Sequence, residues 1–404
     1  MQETRFSCLK ESKIRNFVLL QVFYNGMVAI LTLFVNTFLL KSYGSSSKEV
    51  LFYNLVQAIA QPIAMLTSFW VLRKKSYLFT QRLAFVFYSV VLVILCIFGE
   101  KVAFLYPLFG VLISFGAGYY FGIYSTQMLG YTTDGNRDFV SGAASALSSV
   151  VSLTLPLVAG VIISAFDAYT GYRIVFGIVT LIALGALFIT TKLAPIEKAG
   201  ERIGFAEIFK TIVKDKDGRR IMIANGLDNC RSFTVGFYMT ILVYNMIQSE
   251  MLVSVNSVIG GLLGIVGSAL YGVIVTKNNR LPALLCAVAL ALLPCIFMCF
   301  MLNVYVLIVF YGLYNLTNVF LATPVLNTHF KVMEKFERFR GLGAQIHTVR
   351  EVFVAIGRVI GVLLILFIPQ TNIGIVVILT ILMLTSVVNA LLVRNIEKHR
   401  GENL

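Results

Sequence analysis

The stretch from Tyr172 to Thr191 reads YRIVFGIVTLIALGALFITT, and it decides the class of fold. About 20 apolar residues match a hydrocarbon layer about 30 Å thick. Eleven other segments have this length and character. Because lipid offers no partner for backbone polar groups, we expect each segment to be a helix. The predicted spans are 17–40, 50–71, 77–98, 102–127, 143–166, 172–191, 220–246, 251–275, 282–302, 304–328, 343–368 and 371–393.

Composition excludes a water-soluble protein. The 404 residues are 58% hydrophobic and 13% charged, with a mean hydropathy of +0.86. The net charge of +14 follows a membrane pattern, because 26 of the 33 Lys and Arg residues fall on one predicted side. This positive-inside bias predicts a multi-pass protein of the cell membrane with both termini in the cytoplasm. A nucleic-acid partner is not expected. The six cysteines show no Cys-x-x-Cys spacing, and we expect no metal site and no cofactor.

The chain repeats itself at an offset of 201 residues. Arg137, Gly142, Val151 and Gly160 coincide with Arg338, Gly343, Val352 and Gly361. An even number of spans per repeat gives both repeats the same orientation in the membrane. We therefore predict an all-α membrane protein of twelve helices in two parallel six-helix halves, residues 1–191 and 220–404. A cytoplasmic linker, residues 192–219, joins them.

Polarity also has a period, of three spans. The third, sixth, ninth and twelfth spans are almost wholly apolar, as expected for helices that face lipid. The first, fourth, seventh and tenth spans carry polar stripes at helical spacing, which indicate a central aqueous path. These residues are Gln21, Tyr24, Asn25, Thr32, Asn36, Tyr119, Tyr120, Gln127, Asn225, Asp228, Arg231, Ser232, Tyr311, Tyr314, Asn315, Asn318 and His329.

With these features the chain resembles the major facilitator superfamily over its whole length. The loop after the second span, Trp70 to Lys75, keeps the basic cluster of that family and lacks its usual Asp. Leu155 to Gly160 partly matches a Gly/Pro motif of the family. The sequence from Thr133 to Asp138 looks like that of poorly characterised members from Gram-positive bacteria. The resemblance implies two parallel halves around a central cavity, and a fold that works by alternating access.

Five charges lie inside predicted spans: Asp228, Arg231, Arg350, Glu351 and Arg358. Such residues are costly in lipid, so each is expected to have a partner or a function. Helical rise places Asp228 and Glu351 at one depth, with Arg350 and Arg231 nearby. We therefore predict cross-pairs Asp228–Arg350 and Arg231–Glu351, and we expect Arg358 to be left without an acid. His329 and His347 are expected to be solvated.

Two interpretations of these charges stay open. They form a structural ion-pair network that holds two helices in register. Alternatively, Asp228 or Glu351 exchanges a proton, and Arg231 or Arg358 binds an anionic group. The predicted coupling network is Asp228, Arg231, Arg350 and Glu351. The predicted substrate-cavity residues are Gln21, Tyr24, Asn25, Tyr119, Tyr120, Asn225, Arg231, Tyr311, Tyr314, Asn315, Asn318 and Arg358.

These patterns favour a monomeric secondary transporter of a small organic or amphipathic solute, with an anionic solute and proton coupling as open alternatives. A lipid or glycolipid flippase of the same fold is the second reading, and membrane lipids are expected around either. An integral-membrane transferase fits less well. Such enzymes need clustered acid and base groups, and the three histidines have no Asp neighbour in sequence. We therefore do not expect an enzyme.

Overall fold

The structure is a computed structural model that describes residues 10–133, 136–166, 169–196, 204–275, 279–336 and 343–399. Throughout these ranges the regular structure is helical. Several sequence features lie outside the described residues: Arg338 of the repeat, Asp134 and Gly135 of the loop motif, and residues 197–203 of the predicted linker. The chain separates into two compact units, Met1–Glu201 and Arg202–Leu404.

The described residues of the first unit form six long helices, with the short 3-10 helix Gly99–Leu105 between the third and the fourth. The long helices are α1 Ser12–Ser42, α2 Ser47–Lys74, α3 Tyr77–Phe98, α4 Tyr106–Tyr131, α5 Arg137–Ala165 and α6 Thr170–Thr190. Helix α6 contains most of the apolar stretch that opened the sequence analysis. It buries Tyr172, Val175 and Phe176 and exposes Leu181 and Phe188, as expected for a helix with one face toward lipid.

The second unit begins with a short amphipathic helix, α7 Phe205–Lys214. It continues with α8 Lys216–Ile247, α9 Glu250–Ile274, α10 Arg280–Phe300, α11 Val304–Glu334, α12 Gly343–Phe367 and α13 Asn372–His399. Helix α7 buries Ile208 and Ile212 in a cluster with Met222 of α8 and Val349 of α12. This part of the predicted linker therefore packs into the second unit.

Each predicted span falls on one long helix, and the helix ends differ from the predicted ends by up to six residues. Nine segments of the described chain are long and apolar enough to cross a membrane. One of them, Tyr77–Met128, includes α3 and most of α4. Helices α8 and α12 are not among the nine, and they carry the five charges singled out in the sequence. Their crossing of the membrane stays a prediction.

In both units the same pairs of equivalent helices pack together. In the first unit, α2 packs against α4, α1 against α5 and α3 against α6. In the second unit, α9 packs against α11, α8 against α12 and α10 against α13. Since equivalent helices pair in each unit, the internal packing follows the repeat that the sequence shows at an offset of 201 residues.

Candidate functional site: a charged network in the second unit

The charged residues of the second unit come together on three helices. Helix α8 contributes Asn225, Asp228, Asn229 and Arg231, at spacings that place them on neighbouring turns. Helix α11 contributes Tyr314, Asn318 and His329, and helix α12 contributes Arg350, Glu351 and Arg358. We call this set of ten residues the charged network.

Glycines bring α8 and α12 into backbone contact at the charged network. A Cβ atom on Gly357 would collide with the carbonyl oxygen of Gly226, and one on Gly226 would lie 2.8 Å from the carbonyl oxygen of Phe353. Small residues allow such close crossings between membrane helices. The side chains that flank this crossing are therefore held near one another.

Arg231 is fully buried, and two side chains bind its terminal nitrogens. Its Nη2 donates to Oδ1 of Asp228 at 2.6 Å, and its Nη1 donates to Oδ1 of Asn318 at 2.8 Å. The guanidinium also lies 5.5 Å from the ring centroid of Tyr314. Charge-assisted hydrogen bonds and the aromatic face together compensate part of the cost of burying the cation.

Arg358 also has a carboxylate partner, so the prediction that it lacks an acid is wrong. Its Nη1 donates to Oε1 of Glu351 at 2.8 Å, and Glu351 lies two turns earlier on the same helix. Its Nη2 donates to Oδ1 of Asn229 at 3.4 Å, and its guanidinium lies 5.4 Å from the Phe233 ring. The sequence argument compared only depths, whereas a long arginine side chain reaches along its own helix.

The predicted cross-pairs Asp228–Arg350 and Arg231–Glu351 are wrong for the same reason. In the structure each carboxylate pairs within its own helix, Asp228 with Arg231 and Glu351 with Arg358. Matched depth on two helices does not fix the direction in which each side chain points. The bonds between helices run instead through the amides Asn225, Asn229 and Asn318.

Arg350 has a neutral partner. Its Nε donates to Oδ1 of Asn225 at 2.7 Å. The Nδ2 of Asn225 donates to the Ile221 carbonyl at 2.7 Å and lies 3.3 Å from Nδ1 of His329. His329 is therefore a buried member of the network, with 5% of its surface exposed, and the prediction that it is solvated is wrong.

The charged network carries an excess positive charge. Three arginines, Arg231, Arg350 and Arg358, face the two carboxylates of Asp228 and Glu351, which leaves a formal charge of +1 when all five are ionised. Both carboxylates are already paired with arginines. The unbalanced charge is thus that of Arg350, the arginine whose described partner is an amide.

The remaining cavity candidates of the second unit lie beside this network. The ring of Tyr311 stacks on that of Tyr314, with centroids 6.4 Å apart. Asn315 donates to the carbonyl of Tyr311 at 2.7 Å, within its own helix. A Cβ atom on Gly260 would lie 2.5 Å from the Tyr311 ring. Tyr311 and Asn315 therefore pack toward α9, whereas Tyr314 and Asn318 contact Arg231.

In the first unit, the predicted aromatic residues divide into two groups. Tyr24 and Tyr120 stack face to face, with centroids 3.5 Å apart and ring planes 3° apart. Tyr119 instead packs edge-on against Phe87, 5.5 Å away. All three tyrosines are buried. Their rings thus contact other rings of the first unit.

The predicted polar residues of α1 are also buried or bonded within the first unit. Asn25 donates to the carbonyl of Gln21 at 2.9 Å and to Oγ of Ser148 on α5 at 3.2 Å. Gln21 is buried, and its Oε1 has no hydrogen-bond partner among the described residues. In the second unit, sequence reasoning missed Asn229 and Phe233, although Asn229 lies one turn after Asn225. No group of three or more potential metal ligands occurs in the part of the chain that the structure describes.

Comparisons with known proteins agree with this fold. A family model described as Major Facilitator Superfamily matches residues 82–357. The "Uncharacterized protein YqgE" of Bacillus subtilis (strain 168) is 24% identical over 364 residues, which are 89% of this chain and 84% of that protein. An "Uncharacterized protein in sodM 3'region" of Geobacillus stearothermophilus is 27% identical over 154 residues, 38% of this chain and 72% of that protein.

Solved transporter structures share the fold at low sequence identity. The POT family transporter PepTSo aligns with a TM-score of 0.72 and 13% identity, and the match covers 96% of this chain and 98% of that one. A mutant of the nucleoside transporter NupG aligns with a TM-score of 0.69 and 12% identity, over 96% of this chain and 100% of that one. The fold is therefore that of multi-pass membrane transporters.

Proposed function

We propose, because this chain belongs to the Major Facilitator Superfamily, that it moves a small organic or amphipathic anionic solute across the cell membrane by alternating access. The family and the fold support secondary transport, and we propose this function in preference to an enzyme's. The charged network is the observation that supports an anionic solute. Its three arginines and two carboxylates leave one positive charge for a solute to neutralise.

We also propose a topology for the chain. Twelve spans form two parallel six-helix halves, residues 1–191 and 220–404, joined by a cytoplasmic linker, residues 192–219, with both termini in the cytoplasm. The repeated order of helix packing supports this arrangement. The packing of α7 against α8 and α12 makes the second part of the linker an extension of the second half. The protein acts as a monomer whose site faces each side of the membrane in turn.

Proton coupling is a second part of the proposal. Asp228 and Glu351 each bind one arginine, so protonation of either carboxylate would break an ion pair and leave a cation for the solute. A carboxylate that exchanges its proton in one state only would couple proton movement to solute movement. Coupling at these residues predicts that a pH gradient changes the rate of uptake.

Uptake into proteoliposomes tests the proposed function. The purified protein is reconstituted and supplied with labelled carboxylates, phosphorylated metabolites and neutral solutes of similar size, with and without an inward proton gradient. We expect uptake of at least one anionic solute above that of protein-free vesicles, and we expect the gradient to raise it. Uptake of neutral solutes alone would exclude an anionic solute.

The same vesicles test the lipid flippase reading. Fluorescent phospholipids in the outer leaflet are bleached by an impermeant reductant, and the protected fraction reports movement between leaflets. We expect the protected fraction to equal that of protein-free vesicles. Lipid movement without uptake of any soluble solute would replace solute transport with flipping.

A further inference from the structure

Arg350 differs from the two other arginines of the charged network in what it contacts. Arg231 and Arg358 each bind a carboxylate, whereas Arg350 binds the amide oxygen of Asn225 through Nε. Among the described residues, no carboxylate pairs with Arg350 and none accepts a hydrogen bond from its Nη1 or Nη2. Nη1 and Nη2 are absent from the fully buried atoms that lack a hydrogen-bond partner, and the side chain of Arg350 is half-buried. Neither nitrogen is therefore fully enclosed by protein.

The guanidinium of Arg350 is also held in one orientation. Asn225 accepts from its Nε at 2.7 Å, and Asn225 is itself fixed by a bond to the Ile221 carbonyl and by a 3.3 Å contact with His329. The asparagine thus occupies the nitrogen that points along the side chain and leaves the terminal pair free. A fork that is oriented before a ligand arrives loses little entropy when it binds one.

Two parallel N–H groups match the two oxygens of a carboxylate or of a phosphate. The charge of the network agrees, because one negative charge would neutralise it. We infer that Arg350, oriented by Asn225, is the receptor for an oxyanion group, a carboxylate or a phosphate. This inference rests on the proposed function, in which that oxyanion belongs to the transported solute. A phospholipid head group has the same chemistry, so the test separates the two sources.

The test is the thermal stability of the purified protein in detergent, titrated with three probes. The probes are sodium benzoate, sodium phosphate, and phosphatidylglycerol in mixed micelles with phosphatidylcholine alone as the reference. Sodium chloride keeps the ionic strength constant. A ligand that binds the folded protein raises its unfolding temperature in a saturable way. The variants are Arg350→Gln and Arg350→Lys, with Arg82→Gln of the exposed Arg82 as the matched control.

We expect benzoate or phosphate to stabilise the wild type and the Arg82→Gln control equally. In Arg350→Gln the apparent Kd should rise about tenfold or more, as for loss of a charged hydrogen-bond pair. Arg350→Lys keeps the charge and loses the fork, so its apparent Kd should lie between the two. Should Arg350→Gln not fold, the lysine variant and the wild-type titration still decide.

Three outcomes would overturn the inference: no saturable shift of the wild type with any probe, an equal shift in Arg350→Gln, or an equal loss in Arg82→Gln. Failure of the inference is separable from failure of the proposed function. Uptake of an anionic solute that does not depend on Arg350 would remove the receptor and keep the transporter. An Arg350-dependent shift with phosphatidylglycerol alone would keep the receptor and remove the soluble solute.

Discussion

Arg231 and Asp228 lie one turn apart on α8, and Arg358 and Glu351 lie two turns apart on α12. Each carboxylate therefore neutralises an arginine of its own helix, and the amides carry the bonds from helix to helix. Arg231 is fully buried, and its Nε has no hydrogen-bond partner in the described structure. Loss of Asp228 would leave this cation in an apolar environment with one neutral acceptor.

We predict that Asp228→Asn lowers stability more than the double change Asp228→Asn with Arg231→Gln. Breaking a buried ion pair costs roughly 3–5 kcal/mol because one charge stays uncompensated, whereas removing both charges avoids that cost. Thermal unfolding of the purified variants in detergent measures the difference. Glu100→Gln, at an exposed carboxylate, is the control and should leave the unfolding temperature unchanged.

A second cycle, Asp228→Asn with Arg350→Gln, separates this pairing from the one expected from sequence. These residues are not bonded to each other in the structure, so their effects should add more nearly than those of Asp228 and Arg231. Larger coupling between Asp228 and Arg350 than between Asp228 and Arg231 would contradict the observed pairs.

The sequence identifies the five charged residues of the network, but it does not identify the residues that they bind. All five charges of the network stand out because charge is rare in apolar segments. Their partners depend on rotamer and on the rotation of α8 against α12, neither of which is encoded in depth. His329 shows the same limit. Its position near the end of a predicted span favours a solvated side chain, but the structure buries it in contact with Asn225.

Among the elements, α8 and α12 form the contact on which the charged network depends. Gly226 and Gly357 bring the two backbones together, and Gly361 lies against the Thr234 side chain and the Cys230 carbonyl of α8. The sequence predicts spans over 220–246 and 343–368, and each falls on one of these two helices. It did not show which glycines form the crossing, because the chain has 31 of them.

We predict that Gly357→Ala destabilises the protein by about 1–3 kcal/mol, because its Cβ would meet the Gly226 carbonyl and force the helices apart. Gly272→Ala is the matched control, since a Cβ on that helical glycine meets nothing within 4 Å. The control should be neutral or slightly stabilising, as alanine favours helix. Thermal unfolding compares them, and equal effects in the two variants would show that the crossing has room to spare.

The start of α8 carries a pH-dependent contact outside the apolar segments. Asp215 accepts hydrogen bonds from the N–H groups of Asp217 and Gly218 and from Nζ of Lys335, the residue after α11. Partial burial raises the pKa of Asp215, but these bonds and the lysine charge outweigh burial and lower it below the usual value. Since the folded pKa is depressed, its contribution to stability is present above the usual Asp pKa of about 3.9 and is lost as pH falls.

We therefore predict that the stability difference between wild type and Asp215→Asn is constant near neutral pH and shrinks as pH falls below about 4. Asparagine keeps the N-cap and loses the charge, so the comparison isolates the ion pair. Unfolding temperatures measured from pH 7 to pH 3 give this difference. Lys335→Gln should reproduce it, and a difference that grows in acid would rule out the pairing as its source.

At the scale of the whole molecule, the helix packing within each unit agrees with the internal repeat of the sequence. The sequence matches itself at a single offset of 201 residues, and equivalent helices pair in each unit. Hydropathy cannot decide whether α8 and α12 cross the membrane, because their charges lower the apolar signal that identifies a span. Charge asymmetry between loops and the even number of spans are what predict the topology.

We predict that reporter fusions after Gly44, Lys198, Ser249 and Gln370 read outside, inside, outside and outside. Six spans precede Lys198, so a reading outside at that position would end the proposed topology. Ser249 follows α8 and precedes α9, so it reports whether α8 crosses. Gln370 alone would miss a joint failure of α8 and α12, because losing two spans restores the same side. The Ser249 fusion removes that ambiguity, and a reading inside there would place the charged network of α8 outside the bilayer.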